Sequence, residues 1–190
     1  MVELALEAGV GVASPRTEVL PGTGDPRQRV IDYVDSIYAS RSDRKRLEAI
    51  ESSIEGQEPM NPDLRLTVNI PAHHTEMNLG RTLTHYLKQE PYTLGVKPDF
   101  EVLVMVNGDN STDLQTSRAY RDAMAFKERH PNFPLIVGTG TYAGHEAKIG
   151  LIRRDMALVS LRRAIEANLP SIENMILVTN DADLQDLPKG

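Results

Sequence analysis

The apolar positions along the chain change period several times, and each change marks an element. From Leu64, "LRLTVNI" favours a strand, after which "NLGRTLTHYLKQ" puts Leu79, Leu83 and Leu87 on one face of a helix. "FEVLVMV" is a near-continuous apolar run, the pattern of a strand covered on both faces. "STDLQTSRAYRDAMAFKERH" predicts the next helix, capped by Ser111, Thr112 or Asp113, whose side-chain oxygens accept the free amides of a first turn. "PLIVG" predicts a short strand, "KIGLIRRDMALVSLRRAIEAN" a long helix and "NMILVTN" a last strand. Strands alternating with helix-length connections predict an α/β fold, a mainly parallel sheet flanked by helices with right-handed crossovers. Ligands of such sheets gather beyond the carboxyl ends of the strands.

Upstream of the sheet the period is helical. Asp25 followed by Pro26 is a helix start: the carboxylate accepts free amides and proline loses nothing in the first turn. Val30, Val34, Ile37 and Tyr38 then share one face, and Leu47, Ile50 and Ile54 share another before Gly56 ends the run. "GQEPMNPD" reads as a linker, since its prolines do not fit a helix interior. Residues 1–24 mix glycines with Pro15 and Pro21 and hold no period, which reads as a flexible N-terminal arm. The expected plan is therefore an arm over 1–24, a helical extension and linker over 25–62, and a ligand-binding α/β domain over 63–190.

Composition narrows the partners. A chain of 190 residues suits one core, and 40% hydrophobic with 25% charged residues is ordinary for a folded protein. Cysteine is absent, so neither a disulfide framework nor a thiolate metal site is expected. No apolar run approaches the roughly 20 residues of a membrane span, and "MVELALEAGVGV" lacks the basic flank of a signal peptide, so the expected location is cytoplasmic. A net charge of -6 repels polyphosphates. Nucleic acid is accordingly not an expected partner, and a phosphate ligand needs a local metal or arginine pocket. The basic run "RSDRKR" has no interleaved aromatics and reads as a solvated helix face.

The candidate chemistry lies in the loops expected beyond the strands: "PAHHTE", "NGDNSTD", "GTGTYAGHEAK" and "NDADLQD". Acids ending a buried apolar strand cost desolvation energy unless a cation or a donor offsets it. Asp181 and Asp183 read either as turn formers or as a pair addressing one ligand. Their oxygens would suit Mg²⁺ or Mn²⁺, with diphosphate and water completing the shell. "GTGTYAGHEAK" lacks the ending of a phosphate-binding P-loop, and no G-x-G-x-x-G follows the first strand, which disfavours an NAD enzyme. "HHTE" is a poor zinc site, because consecutive histidines leaving a strand point in different directions and no H-E-x-x-H helix supports them. "NST" at Asn110 matches a glycosylation acceptor without any secretion signal to give it meaning.

The succession "VNIPAHHTEMNLGRTLTHYLKQ", "EVLVMVNGDNSTD", "GLIRRDMAL" and "ILVTNDADLQ" resembles the nucleotide-binding half of the GT-A glycosyltransferases, particularly inverting family 2, over about Leu64 to Leu187. The resemblance implies a Rossmann-like GT-A half binding a nucleoside-diphosphate sugar through a divalent metal. It aligns Pro71, Ala72, His73 and Glu76 with the family's Pro-Ala-Tyr-Asn-Glu motif, His73 taking the place of the base-stacking tyrosine. The leading acid that hydrogen-bonds the base falls on Asn107, Gly108 or Asp109, of which Asp109 is favoured. The third motif, Arg-Asn in the family, falls on Arg154 and Asp155, with a solvent-facing helix turn as the other reading. Asp183 takes the metal and Asp181 approaches ribose or metal.

In that family the general base lies in an acceptor half beyond the D-x-D motif, and this sequence ends at Gly190. The implied reaction is inverting transfer to an unknown acceptor, with three readings of the missing half: a truncated chain, a subunit completed by another chain or a homo-oligomer, or a nucleotide-binding relic. The alternative from another class is a non-catalytic binding or assembly module.

Overall fold

The structure, a computed structural model, describes residues 24–54, 56–88, 99–109, 112–144 and 148–183. The expected arm lies outside these residues except for Gly24. Ser111, Asn110, residues 145–147 and the chain after Asp183 also lie outside them.

The α/β fold anticipated from the periodicity is the one observed, in a Rossmann-like arrangement. Strands β1 (Leu66–His73), β2 (Phe100–Gly108), β3 (Leu135–Thr141) and β4 (Ile176–Thr179) form one parallel sheet in the order β3-β2-β1-β4. Five helices flank it among the described residues: α1 (Pro26–Tyr38), α2 (Arg41–Ile54), α3 (Leu79–Tyr86), α4 (Arg118–Arg129) and α5 (Ile149–Glu166). The chain winds outward through β1, β2 and β3, then returns through α5 to place β4 on the opposite side of β1. That reversal makes the crevice between β1 and β4 the place where a parallel sheet takes its ligand.

Alternation along the strands sorts the core into two layers. Val68, Ile70 and Ala72 of β1 and Val102, Val104 and Val106 of β2 meet Leu79 and Leu83 of α3 and Ala123 and Phe126 of α4. On the other face Leu103, Met105 and Ile136 meet Val34, Leu47, Ile50 and Ile54 of α1 and α2, and Met156 and Val159 of α5. The two N-terminal helices thus pack on the sheet as one side of its core.

Local chemistry explains most boundaries. Asp25 caps α1 through the Arg27 amide at 3.0 Å, with Pro26 in the first turn. Gly56, at φ +79°, takes the left-handed conformation that closes α2. Pro71 sits inside a central strand, where a missing amide normally costs a ladder bond. Its backbone faces β4, and the β1–β4 register ends at Asn69↔Thr179, so no ladder bond is lost.

Two boundaries differ from the expected ones. Asp113 caps only a single 3₁₀ turn, Leu114–Thr116, and α4 begins at Arg118 with Ser117 accepting from the Tyr120 amide. The third strand runs on to Thr141, through glycines that the sequence suggested as loop. A side chain at Gly138 would sit 2.8 Å from Ile54, and one at Gly140 3.0 Å from Met105 and from Tyr142. Gly138 lets α2 lie directly on β3, and Gly140 makes room for Met105 and Tyr142. The close approach also seals the sheet's outer edge, where open backbone groups invite unwanted pairing. Ser53 accepts from the Thr139 amide at 2.9 Å, while Gln57 donates to the Val137 carbonyl at 2.6 Å and accepts from its amide at 3.1 Å.

Candidate functional site

All four strands end on one edge, and the side chains there fall into three connected groups. The first is a cleft of about 340 Å³ over the ends of β1, β2 and β3, lined by His73, His74, Asn107, Gly108, Asp109 and Tyr142, with Gly144 at its rim. This volume is at the lower end of the roughly 300–1,000 Å³ typical of small-molecule sites. His73 leaves β1 exposed, its Nδ1 sharing a hydrogen bond with Thr75 Oγ1 at 2.8 Å and its ring 4.2 Å from that of His74. Partial burial and then the neighbouring His74 charge hold its pKa below the ordinary histidine value, so a neutral ring is favoured. Asn107 fixes the floor by donating to the Ala72 carbonyl at 2.9 Å, and a Cβ at Gly108 would lie 2.8 Å from the end of the Leu114 side chain, so a larger residue there would have to displace it. Asp109 is exposed at the rim, where its carboxylate accepts from Thr112 Oγ1 at 2.9 Å.

The second group lies beneath the cleft. Asp155 of α5 is fully buried, bound by Arg46 Nε at 2.6 Å and by Arg154 Nη2 at 3.3 Å, and the Tyr142 hydroxyl donates to it at 3.3 Å. Asp43 completes the cluster by accepting from Arg46 at 2.6 Å and Arg154 at 2.7 Å. Burial opposes its charge, yet those two guanidinium bonds prevail and keep Asp43 below the usual aspartate range. Tyr142 is pushed far above the usual phenol value, first by burial and then by the Asp155 charge. The phenol is therefore a fixed donor and wall, and its backbone amide binds the Gly108 carbonyl at 2.9 Å to join the cleft rim to this cluster.

The third group is the turn after β4. Asp181 and Asp183 are exposed on either side of Ala182, which is buried. Three bonds pin this backbone: the Asn180 amide to the Asn69 carbonyl at 3.0 Å, Thr82 Oγ1 to the Ala182 carbonyl at 2.6 Å, and the Asn180 side-chain amide to the Tyr86 hydroxyl. The acids therefore project from a turn held by β1 and α3. Asp181 is met by Arg153 Nη2 at 2.6 Å.

His73 and Asp109 thus meet in the cleft, whereas Asp181 and Asp183 lie across β1 from it and do not line it. Pro71 and Ala72 are buried in β1, Ala72 accepting from Asn107. Glu76 turns back on its own loop, Oε1 accepting from the Met77 and Asn78 amides at 2.8 Å each. Arg154 reaches toward α2 rather than the strand ends, and Arg46, read from the sequence as part of a solvated face, is turned inward onto Asp155. Sequence reasoning missed Arg153, Tyr142, Thr82 and Tyr86. A usable signal existed for the first. On a helix whose buried stripe includes Ile152 and Asp155, adjacent arginines diverge by about 100°, so one of the pair had to leave the α2 side.

Among the described residues no group of three or more histidines or acids is gathered for a metal ion, and no helix is long and apolar enough to cross a membrane. Two exposed carboxylates on a pinned turn still fit Mg²⁺ or Mn²⁺, which take one or two carboxylates and complete their shell with phosphate oxygens and water.

No protein-family model and no curated protein matches the chain. Among solved structures it is similar to the mannosyltransferase PcManGT from Pyrobaculum calidifontis, in complex with GDP-Man and Mn2+, at 17% identity and a TM-score of 0.40, over 83% of this chain and 38% of that one. The chain thus spans 38% of that protein's length, and a likeness of this extent says nothing of what this chain binds.

Proposed function

We propose that the chain binds a nucleoside-diphosphate sugar across the carboxyl edge of its sheet, with a divalent cation on Asp181 and Asp183 and the base toward His73 and Asp109. The observation that carries this reading is the acidic turn at the topological reversal: two carboxylates face outward from a backbone pinned by Thr82, Asn69 and Tyr86. Asp181 and Asp183 would hold the cation, which when bound neutralises charge developing on a diphosphate leaving group. The protein's part is orientation. The neutral His73 ring offers a face for stacking, and Asp109 offers an acceptor to a base N–H. Inverting sugar transfer to a separate acceptor is the reaction class that suits these parts.

Calorimetric titration with UDP and GDP, with and without Mn²⁺, tests the reading on the parent and on Asp183→Ala. Binding that requires the metal and is lost in the variant is the expected result. Silence from the parent under every condition removes the proposal and favours a binding or assembly module in its place.

A further inference from the structure

The acid pair has a positive neighbour that neither the motif nor the proposed reading assigns. Arg153, in the second turn of α5, reaches Asp181 at 2.6 Å. Its neighbour Arg154 is committed to Asp43 and Asp155. The two arginines thus have different surroundings: Arg154 is anchored by a carboxylate with no exposure, while the Arg153–Asp181 pair is 41% and 59% exposed. An exposed pair of that kind contributes little, so a cation competing for Asp181 displaces the guanidinium at little cost. Arg153 Nε, moreover, is enclosed and has no hydrogen-bond partner among the described residues. An arginine freed from Asp181 beside a metal-held diphosphate finds the ligand its planar fork suits best.

We propose that Arg153 is an exchangeable counter-ion, neutralising Asp181 in the empty site and transferring to the phosphate oxygens when cation and nucleotide arrive together. The inference rests on the nucleotide-sugar reading and adds a regulatory consequence to it. Arg153 competes with the cation alone but cooperates with the cation–diphosphate pair, so metal and nucleotide bind synergistically. By linkage the coupling is mutual: whatever factor the metal adds to nucleotide affinity, the nucleotide adds to metal affinity.

Arg153→Gln separates the two roles because its effects have opposite signs. Mn²⁺ alone, followed by the loss of the free-ion EPR signal, is expected to bind up to about fivefold more tightly, since the competitor is gone. UDP or GDP at saturating Mn²⁺, followed by calorimetry, is expected to bind about tenfold to hundredfold more weakly, the loss of a charge-assisted bond to phosphate. Arg153→Lys keeps the charge without the fork. It is expected to leave Mn²⁺ binding near the parent value and to lose part of the nucleotide affinity. If the parent shows metal-dependent nucleotide binding and Arg153→Gln leaves both affinities unchanged, or lowers both, the exchange is overturned while the site stands. If the parent binds no nucleotide with metal, the functional reading falls and takes this inference with it.

Discussion

The two faces of the sheet are covered equally well and built differently. On the face covered by α3 and α4, β1 and β2 present Val68, Ile70, Ala72, Val102, Val104 and Val106, a layer of hydrocarbon. The opposite side of the same strands presents Thr67, Asn69, Glu101 and Asn107, all buried, facing a helix that adds Asp155 and Ser160. Asn69 accepts from Ser160 at 3.0 Å and Glu101 from Arg163 at 2.7 Å, while Thr67 Oγ1, Asn69 Nδ2 and Glu101 Oε1 have no partner among the described residues. The dry face is held by close packing, whose energy follows buried area. The other face has apolar packing of its own around Leu103, Met105 and Ile136 and adds buried polar groups that need specific pairing, because each one left unmatched costs desolvation energy. The two layers divide the labour. One layer is hydrocarbon throughout, and the other combines hydrocarbon with paired polar groups and, carrying α5, brings Arg153 to the turn after β4.

The largest test removes the centre of the polar face. Asp155→Ala leaves Arg46 and Arg154 facing each other without their buried partner, and the expected loss is about 3–5 kcal/mol by chemical denaturation. Replacing Arg46 and Asp155 together by Met and Leu is expected to recover most of that loss, since an apolar pair needs no desolvation and Arg154 keeps Asp43. Failure of the double variant to recover would mean that the cluster contributes stability on its own account. On the dry face Leu83→Ala, at a site with no exposure, is expected to cost about 2–5 kcal/mol through lost transfer energy and a cavity. No second substitution should rescue it as charge removal rescues Asp155→Ala. An equally effective rescue would erase the contrast between the faces.

How much of this was readable beforehand follows from the same contrast. Apolar periodicity reports burial, and it located every strand and helix of the described sheet, including the doubly covered β2. It did not say which face a polar residue within an apolar run serves. Glu101 and Asn107 were in view, yet their shared parity with Leu103 and Met105 becomes meaningful only once α5 and α2 are known to lie on that side. Glycine was misleading for a related reason. Gly138 and Gly140 carry a turn signal locally, but here they record the close approach of Ile54, Met105 and Tyr142. The carboxyl-edge loops, with His73, Asp109, Asp181 and Asp183, were legible because strand order and loop polarity are local properties. The partners of Arg46 and Arg153 were not, because they lie 109 and 28 residues away in sequence.

A pH series separates the two faces at smaller amplitude. Burial raises the Glu101 pKa above the usual glutamate value, against the pull of Arg163. The folded protein therefore holds a proton at pH values where the unfolded chain has released it. That contribution is fully present below about pH 4.3, the unfolded value, and is lost as pH rises through the folded value. Glu101→Gln cannot titrate at this position. The parent is expected to lose stability relative to the variant across that window, read as the difference of denaturation midpoints. A difference growing the other way would show that pairing with Arg163 outweighs burial. Variants on the dry face should show no such slope.

The smallest effect asks whether the polar face is polar throughout. Thr67 has no exposure and its hydroxyl no partner among the described residues, yet it faces the same side as Asn69 and Glu101. Valine has nearly the same shape and carries no hydroxyl to desolvate, and removing an unmatched buried polar group recovers its penalty. Thr67→Val is thus expected to stabilise the fold by up to about 1 kcal/mol, a shift of a few degrees in melting temperature. At Ser160 the sign should reverse, because Ser160→Ala strips Asn69 of its donor and is expected to cost about 1–3 kcal/mol. If both substitutions destabilise, the Thr67 hydroxyl is bonded through water, and the seam between α5 and β1 is a continuous polar network. Opposite signs instead place the boundary between its matched and unmatched parts at Asn69, one turn of α5 from the Glu101–Arg163 pair.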